Sequence, residues 1–157
     1  HRHGRRWRLP RHAVSSYLMV SEFRTRRLLE FEDTDTAQIA HFSRFYVFME
    51  QAEHAFLRSL GFSVHMEWEG RKLGWPRVAA ACEFLKPIRF EEELEVHLMV
   101  RRKGGKSMTY AFDFFHDGEL LARGEMTTVC CAIAADGSLA GVAIPQPLAD
   151  QLQEYSG

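Results

Sequence analysis

Residues 31–50 read FEDTDTAQIAHFSRFYVFME. Two aspartates, Asp33 and Asp35, and a histidine, His41, crowd a polar stretch just ahead of an aromatic-rich segment. In that segment Phe45, Phe48, Met49, Ala52, Phe56 and Leu60 recur at three- and four-residue steps, while Arg44, Gln51, His54 and Arg58 supply a wetter side. The spacing predicts a helix with Ser43 as N-cap, running to about Leu60 and stopped by Gly61 as its C′ residue. Its apolar stripe is wide and aromatic, so the helix must be deeply packed.

Working outward, SEFRTRRLLEFE (21–32) mixes apolar and charged residues as a strand with one wet face does. Beyond a loop holding Gly70, Gly74 and Pro76 the period changes. RVAAACEFLKP (77–87), ELEVHLMVRR (93–102), KSMTYAFDFF (106–115) and ELLARGEMTTVCCAIA (119–134) read as strands, many alternating by two. RKGG and HDG between them are hairpin-type turns in which glycine supplies positive φ. Pro145 and Pro147 open a short terminal helix, PLADQLQEY. One strand, one long helix and a run of antiparallel strands make an α+β domain whose sheet curls round the helix. Such a sheet leaves edge strands and an exposed face, so self-association is expected.

The 157 residues suit one domain able to bury a full core without disulfides or metal. No apolar run reaches the roughly 18 residues of a membrane span. With 20 basic and 21 acidic side chains, bulk charge gives no argument for nucleic-acid binding. Residues 1–18 are the exception, holding five arginines and no acid, which leaves 15 basic against 21 acidic side chains in the rest. This leader is expected to be a basic upstream extension, with Met19 as a natural start and residues 19–157 as the working domain. Cys82, Cys130 and Cys131 have no CxxC spacing and sit in apolar runs, so neither a disulfide framework nor a zinc site is expected, and a reducing cytoplasm fits.

GGKS (104–107) lacks the Gly at 100 that a phosphate loop requires, and it joins two strands instead of opening a helix. It reads as a hairpin whose Arg101, Arg102, Lys103 and Lys106 can meet a ligand phosphate at the surface. The serine-hydrolase, zincin and dinucleotide motifs are missing, and His65, His97 and His116 lie at no metal-ligand spacing. The 31–50 stretch is the remaining candidate. A helix start presents backbone N–H groups without intrahelical partners, and its positive dipole end can meet charge developing on a carbonyl oxygen. A nearby carboxylate, Asp35, can act on the same carbonyl. By residues alone, the plainer reading of Asp33 and Asp35 as turn formers and dipole partners has the better claim.

The pattern D-T-D, then Ile39, His41, Phe45 and Glu50, followed by CEFLKPIRFEEELEV, resembles the 4-hydroxybenzoyl-CoA thioesterase branch of the hot-dog superfamily. Phe84, Pro87, Phe90, Glu92, Leu94 and Val96 stand where that branch reads F-x-x-P-x-x-F-x-D-x-L-x-V, and the likeness covers about residues 22–155. It implies a hot-dog fold and hydrolysis of an acyl-CoA thioester. It also implies Asp35 as the catalytic aspartate, Glu50 as the helix glutamate with a secondary catalytic or positioning role, and Asp33 as the loop's structural aspartate. His41 falls where these proteins commonly carry His, Tyr, Asn or Trp. Phe42 departs from a subgroup that carries a second histidine there, and Gln38 with Ala40 replaces the usual pairing.

Phe42, Ser43 and Phe45 at the helix start are the candidate oxyanion and substrate contacts, and Ser107 a candidate pantetheine contact. The expected partners are the acyl-CoA substrate and further copies of the chain, as homodimer or homotetramer, with no cofactor beyond the coenzyme A of the substrate and no metal. Asp35 is expected as general base or as nucleophile. Two rivals stay open: a non-catalytic acyl-CoA-binding dimer, and an acyl-thioester dehydratase, against which the lack of a His-then-Pro-Gly context counts.

Overall fold

The computed structural model describes residues 18–157, and the basic segment 1–17 lies outside the described residues. Strand β1 (Glu22–Leu28) alternates between exposed and half-buried side chains, as its mixed composition requires. A 3₁₀ turn at Phe31–Asp33 follows. Helix α1 spans Arg44–Ser59, and Gly61 takes φ 84° just past its end, where only glycine is free of strain. Phe48, Met49, Ala52, Phe56 and Leu57 are each at most 1% exposed. Each large side chain among them contributes roughly 1.5–3 kcal/mol by leaving water.

After α1 come β2 (Met66–Trp68), β3 (Arg71–Gly74), β4 (Arg77–Phe84), β5 (Glu93–Lys103), β6 (Ser107–His116), β7 (Glu119–Val129), β8 (Cys131–Ile133), β9 (Leu139–Gly141) and the short helix α2 (Gln146–Ala149). The main sheet is antiparallel in the order β1-β5-β6-β7-β4, and a smaller sheet runs β2-β3-β8-β9. Helix α1 lies across the main sheet: Phe45 meets Phe114 edge to face at 5.2 Å, and Phe56 meets Tyr110 at 6.1 Å. Gly124 of β7 lets the helix approach, because a Cβ there would stand 2.5 Å from the Met49 sulfur. One helix wrapped by an antiparallel sheet is the hot-dog fold.

Three expectations are corrected. The strand predicted over 119–134 breaks at Cys130, whose N–H turns to the carbonyl of Lys106 at 2.7 Å, splitting it into β7 and β8. The predicted terminal helix PLADQLQEY is only Gln146–Ala149, since Lys103 Nζ takes the carbonyls of Ala149 and Leu152 and the chain leaves to bridge Val20. The loop before β4 contains a hairpin, β2–β3, turning at Glu69 and Gly70 with φ 49° and 78°. Both predicted turns are present: Gly104 N–H meets the Ser107 carbonyl at 2.8 Å, and Asp117–Gly118 carry φ 47° and 77°.

Candidate active site

The Asp33 carboxylate is fully buried. One oxygen accepts from Arg44 Nε and Nη2 at 2.7 Å, and the other from Arg27 Nη2 and the Glu30 N–H at 2.9 Å. Two guanidinium groups thus compensate one buried charge and clamp the loop between β1 and α1. The Arg27 guanidinium also lies 4.4 Å over the Phe48 ring, joining the clamp to the core.

The next residues form a tight antiparallel turn. Thr34 bridges Ala40, Asp35 N–H donates to the Ile39 carbonyl at 3.0 Å, and Gln38 takes φ 64° to close it. The Asp35 side chain is partly exposed; its Oδ1 accepts the Ala37 N–H at 2.8 Å, and Oδ2 has no hydrogen-bond partner among the described residues. The far arm of the turn is seated on the segment after β4, where Ala40 N–H meets the Ile88 carbonyl at 2.9 Å and Ile39 bridges Arg89.

His41 N–H donates to the Asp33 carbonyl at 2.8 Å, so this amide is engaged. The Phe42 N–H has no partner among the described residues. Ser43 occupies the N-cap position with helical φ −64° and ψ −23°, and its hydroxyl makes no cap bond. It lies 2.7 Å from His41 Nδ1 instead, while Ser43 N–H donates to the same nitrogen at 3.3 Å, leaving Nε2 to carry the proton of the neutral ring. The N-cap expectation therefore fails at the side chain although the helix starts on time.

Phe42 is 61% exposed and edge-on to Phe84 at 6.4 Å; Phe84 meets the buried Phe45 at 5.3 Å. An aromatic series thus runs from solvent beside the helix start into the core. Phe31 and Phe90, both exposed, pair at 6.2 Å on the same side of the loop region.

Other candidates lie elsewhere. Glu50 is two turns along α1, half exposed, 3.4 Å from Arg77 and 3.8 Å from His54. Its neighbour Glu53 is buried, with one oxygen on Arg77 at 2.8 Å and the other without a partner. Burial is the main cause that pushes the Glu53 carboxyl up to about 7, with Glu50 adding to it and Arg77 opposing. Burial likewise lowers the neighbouring His54. Ser107 sits at the start of β6, closing the hairpin. Of the hairpin cations, Arg101 pairs with Glu125 at 2.7 Å and Lys103 holds the C-terminal carbonyls, whereas Arg102 and Lys106 are exposed without ion pairs among the described residues. An open groove on the main sheet is lined by Glu83, Arg101, Asp113, Arg123 and Glu125, among which Arg101 pairs with Glu125 at 2.7 Å and Arg123 with Asp113 at 3.7 Å.

The sequence reading missed the pairing of Glu53 with Arg77 and that of His116 with Glu92, 2.7 Å apart. A glutamate four residues from Met49, beside the apolar stripe, is the signal that marked Glu53; nothing local marked its partner.

Residues 37–122 match the Thioesterase superfamily. The chain belongs to that family and is a thioester hydrolase. It is 28% identical over 129 residues to a protein of Aquifex aeolicus (strain VF5) that carries an esterase name, covering 82% of this chain and 96% of that one. It is 24% identical over 93 residues to the 1,4-dihydroxy-2-naphthoyl-CoA hydrolase of Trichodesmium erythraeum (strain IMS101), covering 59% and 67%. A solved gentisyl-coenzyme A thioesterase superposes with TM-score 0.69 at 26% identity, covering 84% of this chain and 99% of that one. The family match begins two residues past Asp35, so the role of that carboxylate rests on local geometry.

Proposed function

We propose that the chain hydrolyses acyl-CoA thioesters, with Asp35 as the reacting carboxylate and the Phe42 amide as oxyanion donor. The observation that carries this reading is that the tight turn holding a carboxylate with an open Oδ2 leads, seven residues on, to a main-chain N–H at the start of the buried helix that has no partner among the described residues. In the general-base route Asp35 takes a proton from water as the water oxygen bonds to the carbonyl carbon, and the tetrahedral intermediate expels the coenzyme A thiolate. In the nucleophilic route Asp35 bonds to that carbon, the thiolate leaves, and water hydrolyses the resulting anhydride. Both place a negative oxygen where the Phe42 N–H can stabilise it. His41, with Nε2–H as donor, stands beside this position as a carbonyl-orienting group.

The exposed Phe42 and Phe84 favour flat, apolar acyl groups, and the dihydroxynaphthoyl- and gentisyl-CoA names of two relatives point the same way. Arg102 and Lys106, exposed at the end of β5 and β6 away from this chain's Asp35 loop, are candidate cations for the coenzyme A phosphates of a substrate held by a partner copy. The reaction calls on no cofactor beyond the coenzyme A of the substrate. Free Cys82, Cys130 and Cys131 suit a reducing compartment, so we place the protein in the cytoplasm.

The working unit is a homodimer. Among the described residues β4 pairs only with β7, and its run Val78–Ala81 is uncharged and exposed along the open edge. Such an edge is an assembly site unless something covers it. Antiparallel pairing of two β4 strands about a twofold would set the Arg77 end of one beside the Phe84 end of the other, bringing Glu50 near the partner's acyl site.

The test is thiol release from benzoyl-, naphthoyl-, short-chain and long-chain acyl-CoAs by the purified protein. Turnover highest on the aromatic substrates supports the reading. Tight binding of every acyl-CoA without thiol release overturns it in favour of a binding protein.

A further inference from the structure

We propose that His116 and Glu92 are positioning residues that hold the Asp35 loop in its reacting geometry. This rests on the reading of Asp35 as the reacting carboxylate.

His116 ends β6, beside the start of β5. Its Nδ1 lies 2.8 Å from the Glu93 carbonyl, and its Nε2 2.7 Å from Glu92 Oε2 and 3.3 Å from Asp117 Oδ2. Both ring nitrogens face only oxygen acceptors, an arrangement an imidazolium satisfies and a neutral ring does not. The other oxygen of Glu92 accepts the Arg89 N–H at 2.7 Å and closes the turn 89–92. That turn carries the loop at both ends. Leu29 N–H donates to the Glu92 carbonyl and Glu91 N–H to the Leu29 carbonyl, each at 2.9 Å, where the chain leaves β1 toward Asp33. On the far side Arg89 bridges Ile39, and Ile39 in turn accepts the Asp35 N–H. A continuous path therefore runs from the imidazolium through the Glu92 carboxylate and the turn backbone to Asp35.

The groups that face His116 are acidic: Glu92 from the turn, Asp117 from the hairpin and Glu119 from β7, the last itself paired with Lys86. The Glu93 carbonyl first, and these carboxylates after it, raise the histidine above its ordinary value. The clip therefore weakens as pH rises through the histidine's raised value.

The experiment measures kcat and KM on one acyl-CoA from mildly acid to alkaline pH for the wild type, His116→Gln, Glu92→Gln and the double variant. It adds amide exchange at Asp35 and Ala40, and Asp35→Asn as control. The expected result is a kcat about tenfold lower in each single variant below the histidine's titration, with KM nearly unchanged and the double variant no worse. The fall in wild-type kcat as pH rises through the histidine's titration disappears in His116→Gln, and exchange at the two amides speeds up. Wild-type kcat, pH profile and exchange in His116→Gln overturn the proposal. An active Asp35→Asn instead removes the reading of Asp35, while the exchange comparison still decides whether His116 holds the loop.

Discussion

The main-chain N–H of His41 donates to the carbonyl of Asp33 at 2.8 Å, so the first unengaged donor at the start of α1 belongs to Phe42. The proposed oxyanion role narrows to one amide. Replacing that amide by an ester at Phe42 removes the N–H and keeps the side chain. We expect kcat to fall by about 10² to 10³ with KM little changed, measured by thiol release. An ester variant with full kcat would place the oxyanion elsewhere.

Asp33 and Asp35 differ in kind although they stand two residues apart. Asp33 is the buried partner of Arg27 and Arg44, so Asp33→Ala leaves two guanidinium groups facing an apolar gap. The expected loss of stability is about 3 kcal/mol, read by urea unfolding. A loss below about 1 kcal/mol would mean that the clamp is dispensable.

Glu53 makes stability depend on pH. Its folded value near 7 lies above the unfolded 4.5, so the folded chain binds the proton more tightly between them. The contribution is complete below the unfolded value and is lost as pH rises through 7. Glu53→Gln removes this slope. Relative to wild type the variant should gain on the order of 2 kcal/mol between weakly acid and weakly alkaline pH. Parallel pH–stability curves for the two proteins would count against a protonated, buried Glu53.

The open edge of β4 gives a test of assembly. Ala80→Glu places like charges close to the twofold proposed for two β4 strands, and light scattering should show the mass fall from dimer to monomer. An unchanged mass would move the interface off this edge.

Much of the fold was legible because α1 advertises itself twice, through the Phe45 to Leu60 stripe and through Gly61. The strands β5, β6 and β7 carry long alternating runs bounded by glycine turns. The short strands β2, β3 and β9, at three or four residues each, carry too little periodicity to be told from loop. By residues alone Asp33 and Asp35 were visible only as a pair; the family resemblance set Asp33 apart as structural, while its burial, which depends on Arg27 and Arg44 arriving from different elements, was not legible locally. The His116 clip was invisible for the same reason: Glu92 lies 24 residues away in the chain, and the strand motif that holds Glu92 does not reach His116. The Ser43 hydroxyl, a natural cap by sequence, was diverted by a histidine two residues earlier.

The most direct test of the central claim is the hydrolysis rate of a folded Asp35→Asn protein on the best acyl-CoA substrate, followed as released thiol and paired with circular dichroism. The account predicts wild-type secondary structure and a loss of at least about two orders of magnitude in kcat. Hydrolysis at the wild-type rate by a folded Asp35→Asn protein would contradict it.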